Sequence, residues 1–258
     1  FQHALENDEF ELYFQPKQCL KTGAIMGAEA LLRWQDPDLG TISPAQFIPL
    51  AEELGLVVRL DLWVINQAGK ELTLWQAQGM NPGRLAINVS ACHLSQGKLA
   101  DNIKAMLTRY QLPGSLLEIE LTESSFIGSF SQAKEQLQQL KTLGVHIALD
   151  DFGTGYSALS YLTKLPFNTL KIDASFIAKI PDEYGNSQIV AAIIAMATSL
   201  GLDVVAEGVE HASQEAHLAT IGCNIIQGYH YCYPLTRQQW IAFYNQAAKG
   251  YSESTLTS

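Results

Sequence analysis

Paired metal-binding motifs, basic runs and long apolar runs are missing from this 258-residue chain, and each absence removes a class of protein. The six histidines (His3, His93, His146, His211, His217 and His230) form no HxxxH or HxD cluster, which argues against a zinc-type phosphatase. The four cysteines, Cys19, Cys92, Cys223 and Cys232, include no CxxC pair. That disfavours a zinc site or a disulfide scaffold and suits a reducing cytosol, with buried free thiols expected for most of them. Lysine and arginine number 16 against 26 aspartates and glutamates, a formal charge of -10, so a groove gripping polymeric DNA or RNA is not expected. A small phosphate ligand stays open, because bound cations can supply positive charge. No apolar run reaches membrane-spanning length and no signal-peptide pattern opens the chain. The first residue is Phe1 rather than Met, and a domain taken from a longer protein is expected.

What is present is an alternation of β-rich runs and amphipathic helical stretches. Strands are predicted at Phe10–Gln15, Ala24–Trp34, Arg84–Ser90, Leu116–Thr122, His146–Asp151, Thr169–Asp173, Asp203–Gly208 and Ile225–Tyr229. Helices are predicted at Pro44–Leu54, Leu60–Gln78, Leu99–Tyr110, Ser131–Leu143, Ser187–Leu200, Gln214–Ile221 and Arg237–Lys249. Ser43 is a plausible N-cap, and Gly55, Gly144, Gly201 and Gly222 stand where helices should stop. Strand–helix–strand units with right-handed crossovers build parallel sheets. Eight such strands fit an α/β fold, a single TIM-like (β/α)8 barrel.

Active sites of such barrels lie at the C-terminal ends of the strands. Those ends are polar here: Glu29 in the second strand, Asn88, Glu120, Asp150-Asp151, Lys171 with Asp173, Glu207 and Gln227. The Asp150-Asp151 pair closes an apolar run just before Phe152-Gly153-Thr154-Gly155-Tyr156. Adjacent side chains on a strand point to opposite faces, so such a pair suits a rim rather than a core. Singly, each group has a structural explanation: Glu29 paired with Arg33, for example, or Lys171 with Asp173. Several carboxylates in one mouth are costly unless cations compensate them. Oxygen-only ligands suit Mg²⁺ or Mn²⁺, and two such ions can run phosphodiester hydrolysis.

Glu29-Ala30-Leu31 is also the motif that names a family. With Tyr13-Phe14-Gln15-Pro16, Asn88-Val89-Ser90, Glu120-Leu121-Thr122-Glu123, Asp150-Asp151-Phe152-Gly153, Leu170-Lys171-Ile172-Asp173, Ala206-Glu207-Gly208 and Gln227-Gly228, it makes the chain resemble the EAL-domain family of bacterial cyclic di-GMP phosphodiesterases. The resemblance implies a barrel whose first strand is antiparallel to the rest, and hydrolysis of cyclic di-GMP to linear pGpG with two Mg²⁺ or Mn²⁺ ions, Ca²⁺ being inhibitory. By family position, Glu29, Asn88, Glu120 and Asp150 would hold one metal and Asp150 with Asp151 the second. Lys171 would position the attacking water and Glu207 would act as base or supporting acid. Gln15, Leu32, Arg33, Asp173 and Gln227 would contact substrate or support the network. Glu123 would anchor the loop at Phe152 and Gly153, which the family ties to dimerisation.

The resemblance further implies that residues 1–258 are one EAL-type domain of a longer cytoplasmic or membrane-anchored signalling protein. Homodimerisation and attached sensory or GGDEF-type domains are expected with it. The alternatives are a receptor that binds cyclic di-GMP without turnover and an unrelated barrel enzyme, such as an aldolase using Lys171 as a Schiff base. The first would follow from a lost ligand, and none is lost. The second needs Lys171 away from carboxylates.

Overall fold

The computed structural model describes residues 4–5, 7, 9–126, 130–153 and 159–254. In chain order the first half comprises β1 (Phe10–Cys19), β2 (Ile25–Asp36), β3 (Gly40–Ile42), α1 (Pro44–Glu53), α2 (Val57–Ala77), β4 (Arg84–Asn88), α3 (Ala91–Ser95), α4 (Leu99–Tyr110) and β5 (Leu117–Thr122). The second half comprises α5 (Phe130–Thr142), β6 (His146–Phe152), α6 (Leu159–Leu162), β7 (Thr169–Ile172), α7 (Ala174–Ile177), α8 (Tyr184–Ser199), β8 (Asp203–Ala206), α9 (Ala212–Thr220), β9 (Ile225–Ile226) and α10 (Arg237–Ser254).

Strand order β1-β9-β8-β7-β6-β5-β4-β2 closes through a β1–β2 pairing into an eight-stranded barrel, with β3 attached outside on β2. β1 runs antiparallel to both neighbours, and the remaining barrel pairings are parallel. The antiparallel first strand and the single barrel thus match expectation. β3 was not anticipated; three residues carry too little periodic signal. Several strands stop short of their expected ends: Ser90 and Asp173 cap the short helices α3 and α7 instead of extending β4 and β7. Ser43 occupies the N-cap of α1, and Gly55, Gly144, Gly201 and Gly222 take positive φ behind their helices. The cysteines are free thiols, but only Cys223 is buried and Cys92 is exposed, which corrects the expectation of mostly buried thiols. Among the described residues no helix is long and apolar enough to cross a membrane.

Strand alternation sorts the barrel into two chemistries. One row, including Phe14, Ala30, Ile87, Ile119, Leu149, Ile172, Ala206 and Ile226, points outward into a core shared with helix residues such as Leu72, Ile103, Leu137 and Trp240. The other row points inward. In many barrels such positions are branched and apolar; here Gln15, Lys17, Glu29, Glu118, Glu120, Asp150, Thr169, Lys171 and Gln227 are all buried and polar. The stabilising core lies between barrel and helices, and the interior is left to paired charges.

Candidate active site

The Asp150-Asp151 pair sits on a β-bulge. Leu149 pairs with Leu170 and Phe152 with Ile172, so two residues of β6 lie opposite Lys171 of β7. Asp151 takes a left-handed conformation (φ 54°), and its N–H donates to Asp150 Oδ1 at 2.9 Å. A regular strand would send the two carboxylates to opposite faces. With the bulge, oxygens of Asp150, Asp151 and Glu207 gather within 4.8 Å of one another.

Lys171 stands at the centre, fully buried. Its Nζ meets Glu207 Oε1 at 2.7 Å, Glu120 Oε2 at 2.8 Å, Asp150 Oδ2 at 3.1 Å and Glu29 Oε2 at 3.4 Å. One ammonium thereby ties together β2, β5, β6 and the segment after β8. Glu29 also accepts from Asn88 Nδ2 and Gln227 Nε2, both at 2.7 Å. Gln227 Nε2 reaches Gln15 Oε1 at 3.1 Å, and Gln15 Nε2 donates to the Cys232 carbonyl at 3.2 Å. The structural explanations therefore fail at these positions: Glu29 is paired with Lys171 and two amides, and Lys171 with four acids.

Burial pushes the Glu29, Asp150 and Asp151 carboxyls above their ordinary values; neighbouring Glu120 adds to the first two and Asp173 to the third. Burial also raises Glu207, to about 8. Glu120 goes the other way: burial alone would raise it, but Lys17 and Lys171 hold it at about 2. Burial would likewise depress Lys171, yet Asp150, Glu120, Glu207 and Glu29 keep its ammonium well above the usual lysine range. Four carboxylates within 3.4 Å of its Nζ argue against the Schiff-base reading, which needs a neutral amine. Six carboxylates, Glu29, Glu118, Glu120, Asp150, Asp151 and Glu207, stand against two ammonium groups, Lys17 and Lys171, which leaves a surplus of negative charge. An oxygen-only donor set in surplus fits hard divalent cations.

Two adjoining cavities open here. One, about 410 Å³, is lined by Gln15, Glu29, Asp150, Glu207, Gln227 and Tyr229. The other, about 290 Å³ and more apolar, is bounded by Leu32, Arg33, Ile48, Asp61 and Ser90, and the two share Leu31 and Asn88. Arg33 Nη1 donates to the Leu32 carbonyl at 2.9 Å, and its guanidinium lies 5.4 Å from the Tyr13 ring centre. Asp173 stands apart from both linings: its carboxylate accepts from the Ser175 N–H at 3.0 Å and from the Ser175 hydroxyl, capping α7.

Glu123 Oε1 accepts the Gly153 N–H at 2.8 Å, while Phe152 is buried in the core. Gly153 has φ 99°, and a Cβ there would lie 2.7 Å from the Phe176 ring. The rest of the expected dimer loop, 154–158, lies outside the described residues. Sequence reasoning missed Lys17, Glu118 and Asp61. Lys17 and Glu118 each sit two residues from a recognised inward residue, Gln15 and Glu120, and strand alternation would have found them. Asp61 was hidden in a helical apolar pattern; its Oδ2 accepts from Ser90 N–H at 3.1 Å and Ser90 Oγ–H at 2.6 Å.

Comparison with known proteins bears on this arrangement. The chain is 41% identical over 239 residues to the bifunctional diguanylate cyclase/cyclic di-GMP phosphodiesterase MucR of Pseudomonas aeruginosa, covering 93% of this chain and 35% of MucR. It is 37% identical over 239 residues to the cyclic di-GMP phosphodiesterase RocR of the same organism, covering 93% of this chain and 61% of RocR. The chain thus spans about a third of MucR and less than two thirds of RocR. Among solved structures, the PaMucR phosphodiesterase in complex with c-di-GMP superposes with a TM-score of 0.88 at 40% identity, covering 93% of this chain and 97% of that one. The EAL domain profile matches residues 1–234, and the chain belongs to the EAL domain family.

Proposed function

We propose that this domain hydrolyses one phosphodiester bond of cyclic di-GMP to give linear pGpG. The observation that carries the reading is the convergence of Glu29, Glu120, Asp150 and Glu207 on Lys171 at the barrel mouth. The relatives named as cyclic di-GMP phosphodiesterases and the structural neighbour holding c-di-GMP support it.

Glu29, Asn88, Glu120 and Asp150 would hold one Mg²⁺ or Mn²⁺, and Asp150 with Asp151 a second. Bound there, such ions supply Lewis acidity at the phosphoryl group and acidify water. The protein's own groups do the rest. Lys171 orients the attacking water and offsets charge growing on the phosphoryl oxygens. Glu207, 2.7 Å from the Lys171 ammonium at the mouth, is the carboxylate that would take the proton the water loses. The water oxygen bonds to phosphorus, the phosphorus–O3′ bond breaks, and the 3′-oxygen leaves with a proton from solvent. Gln227 and Gln15 keep Glu29 oriented, and Arg33 offers a planar fork to a phosphate in the adjoining cavity.

Chromatography of cyclic di-GMP incubated with the protein and Mg²⁺ tests this. Accumulation of pGpG is expected. Tight binding with unchanged substrate under both Mg²⁺ and Mn²⁺ would instead make the domain a receptor.

A further inference from the structure

Lys17 takes no part in the reaction just described, yet it is buried inside the barrel. Its strand runs against the others, so Gln15 points inward at the mouth and Lys17, two residues on, points inward one layer deeper. Nζ of Lys17 meets Glu118 Oε1 at 2.6 Å and Glu120 Oε1 at 2.8 Å. The second oxygen of Glu118 accepts from Thr169 Oγ1 at 3.0 Å. Beneath them a cavity of about 70 Å³ is bounded by Lys17, Arg84, Glu118, Thr169 and Asp203, at the end of the barrel opposite the mouth.

The consequence falls on Glu120. Its two oxygens are held by different ammonium groups, Oε1 by Lys17 and Oε2 by Lys171, each at 2.8 Å. A carboxylate tied at one oxygen can swing about its terminal bond, whereas one tied at both presents a fixed edge to the mouth. Charge-assisted bonds of this length are strong enough to hold it. Site groups misplaced by an ångström lose much of their effect, so the support beneath them matters.

We propose that Lys17 is a positioning residue for the cation site at the mouth, acting through its bond to Glu120 from the opposite end of the barrel. Glu118 balances the charge of Lys17 and does not itself orient Glu120. The inference rests on the reading of Glu120 as a cation ligand, and it is tested without turnover.

The experiment is a calorimetric Mn²⁺ titration of the substrate-free protein, with kcat and KM for cyclic di-GMP measured alongside. Lys17→Met removes the ammonium while keeping a long unbranched side chain. Lys17→Met/Glu118→Gln also removes the acid that would be left unpaired, and it decides the matter if the single variant unfolds. Both should bind Mn²⁺ about tenfold or more weakly, the range seen when groups supporting metal ligands are lost. Their kcat should fall by a similar factor, with KM within about twofold of wild type. Glu118→Gln alone keeps the Lys17–Glu120 bond and should bind Mn²⁺ as wild type does. A folded double variant with wild-type Mn²⁺ affinity overturns the proposal, and so does a Glu118→Gln protein as impaired as Lys17→Met. Should the wild type bind Mn²⁺ but leave cyclic di-GMP intact, the hydrolytic reading fails while the titration still judges Lys17.

Discussion

Glu29 carries more of the site than its one negative charge suggests, because Asn88, Gln227 and Lys171 all converge on it. Glu29→Ala should lower turnover by about a hundredfold or more, as expected for a lost ligand rather than a lost neighbour of one. It also relieves acid crowding, so the melting temperature should stay within about 4 °C of wild type, equivalent to about 1 kcal/mol for a chain of this size. Parallel assays and thermal melts check both halves. Glu207 and Glu120 act in opposite directions on stability. Glu207 is raised from 4.5 to about 8, so the stability it contributes is full below pH 4.5 and is lost as pH rises through about 8. Glu120 is lowered from 4.5 to about 2, so its contribution is present above pH 4.5 and is lost as pH falls towards 2. Melts of the metal-free protein from pH 4.5 to 8.5 should therefore show Glu207→Gln gaining on wild type as pH rises. A constant difference across that range would contradict the burial of that carboxyl.

Among the elements, β6 decides the most. Its bulge converts an awkward acidic pair into two groups on one side, and the Glu123–Gly153 bond with Phe176 holds the chain that follows. Gly153→Ala meets both a left-handed backbone and the Phe176 ring, at a cost of order 1–3 kcal/mol. It should reduce kcat at least about tenfold while leaving the far-ultraviolet circular dichroism unchanged; full activity would detach that turn from the site. Asp-Asp before Phe-Gly was conspicuous in the sequence, and its placement at a strand end was legible from the apolar run before it. The bulge was not, because two-residue periodicity says nothing of where a ladder takes an extra residue. The short caps at Ser90 and Asp173 were likewise read as strand, since a four- or five-residue helix shows no helical period. Asp173, expected by family position among the substrate contacts, is the N-cap of α7.

At the scale of the molecule, the barrel separates two tasks that usually share one interior. Outward-facing strand residues and the helices supply the apolar core, which frees the inside for a column of alternating charge from Lys17 to Glu207. The closed barrel was legible because each strand–helix pair is periodic on its own. The column was only partly so, because the mouth residues stand at strand ends while the deeper layer shows itself only once register is known. A surplus of acid in so tight a space should discriminate between cations. Replacing Mg²⁺ with Ca²⁺ should suppress hydrolysis of cyclic di-GMP, because the larger ion accepts longer and looser coordination; equal rates in the two ions would argue against a cation requirement at the mouth. The most direct measurement of the central claim is an anomalous difference map from crystals soaked in Mn²⁺. Two peaks are predicted at the mouth, one against Glu29, Asn88, Glu120 and Asp150 and one against Asp150 and Asp151. A mouth without anomalous density in protein that hydrolyses cyclic di-GMP in the same solution would contradict it.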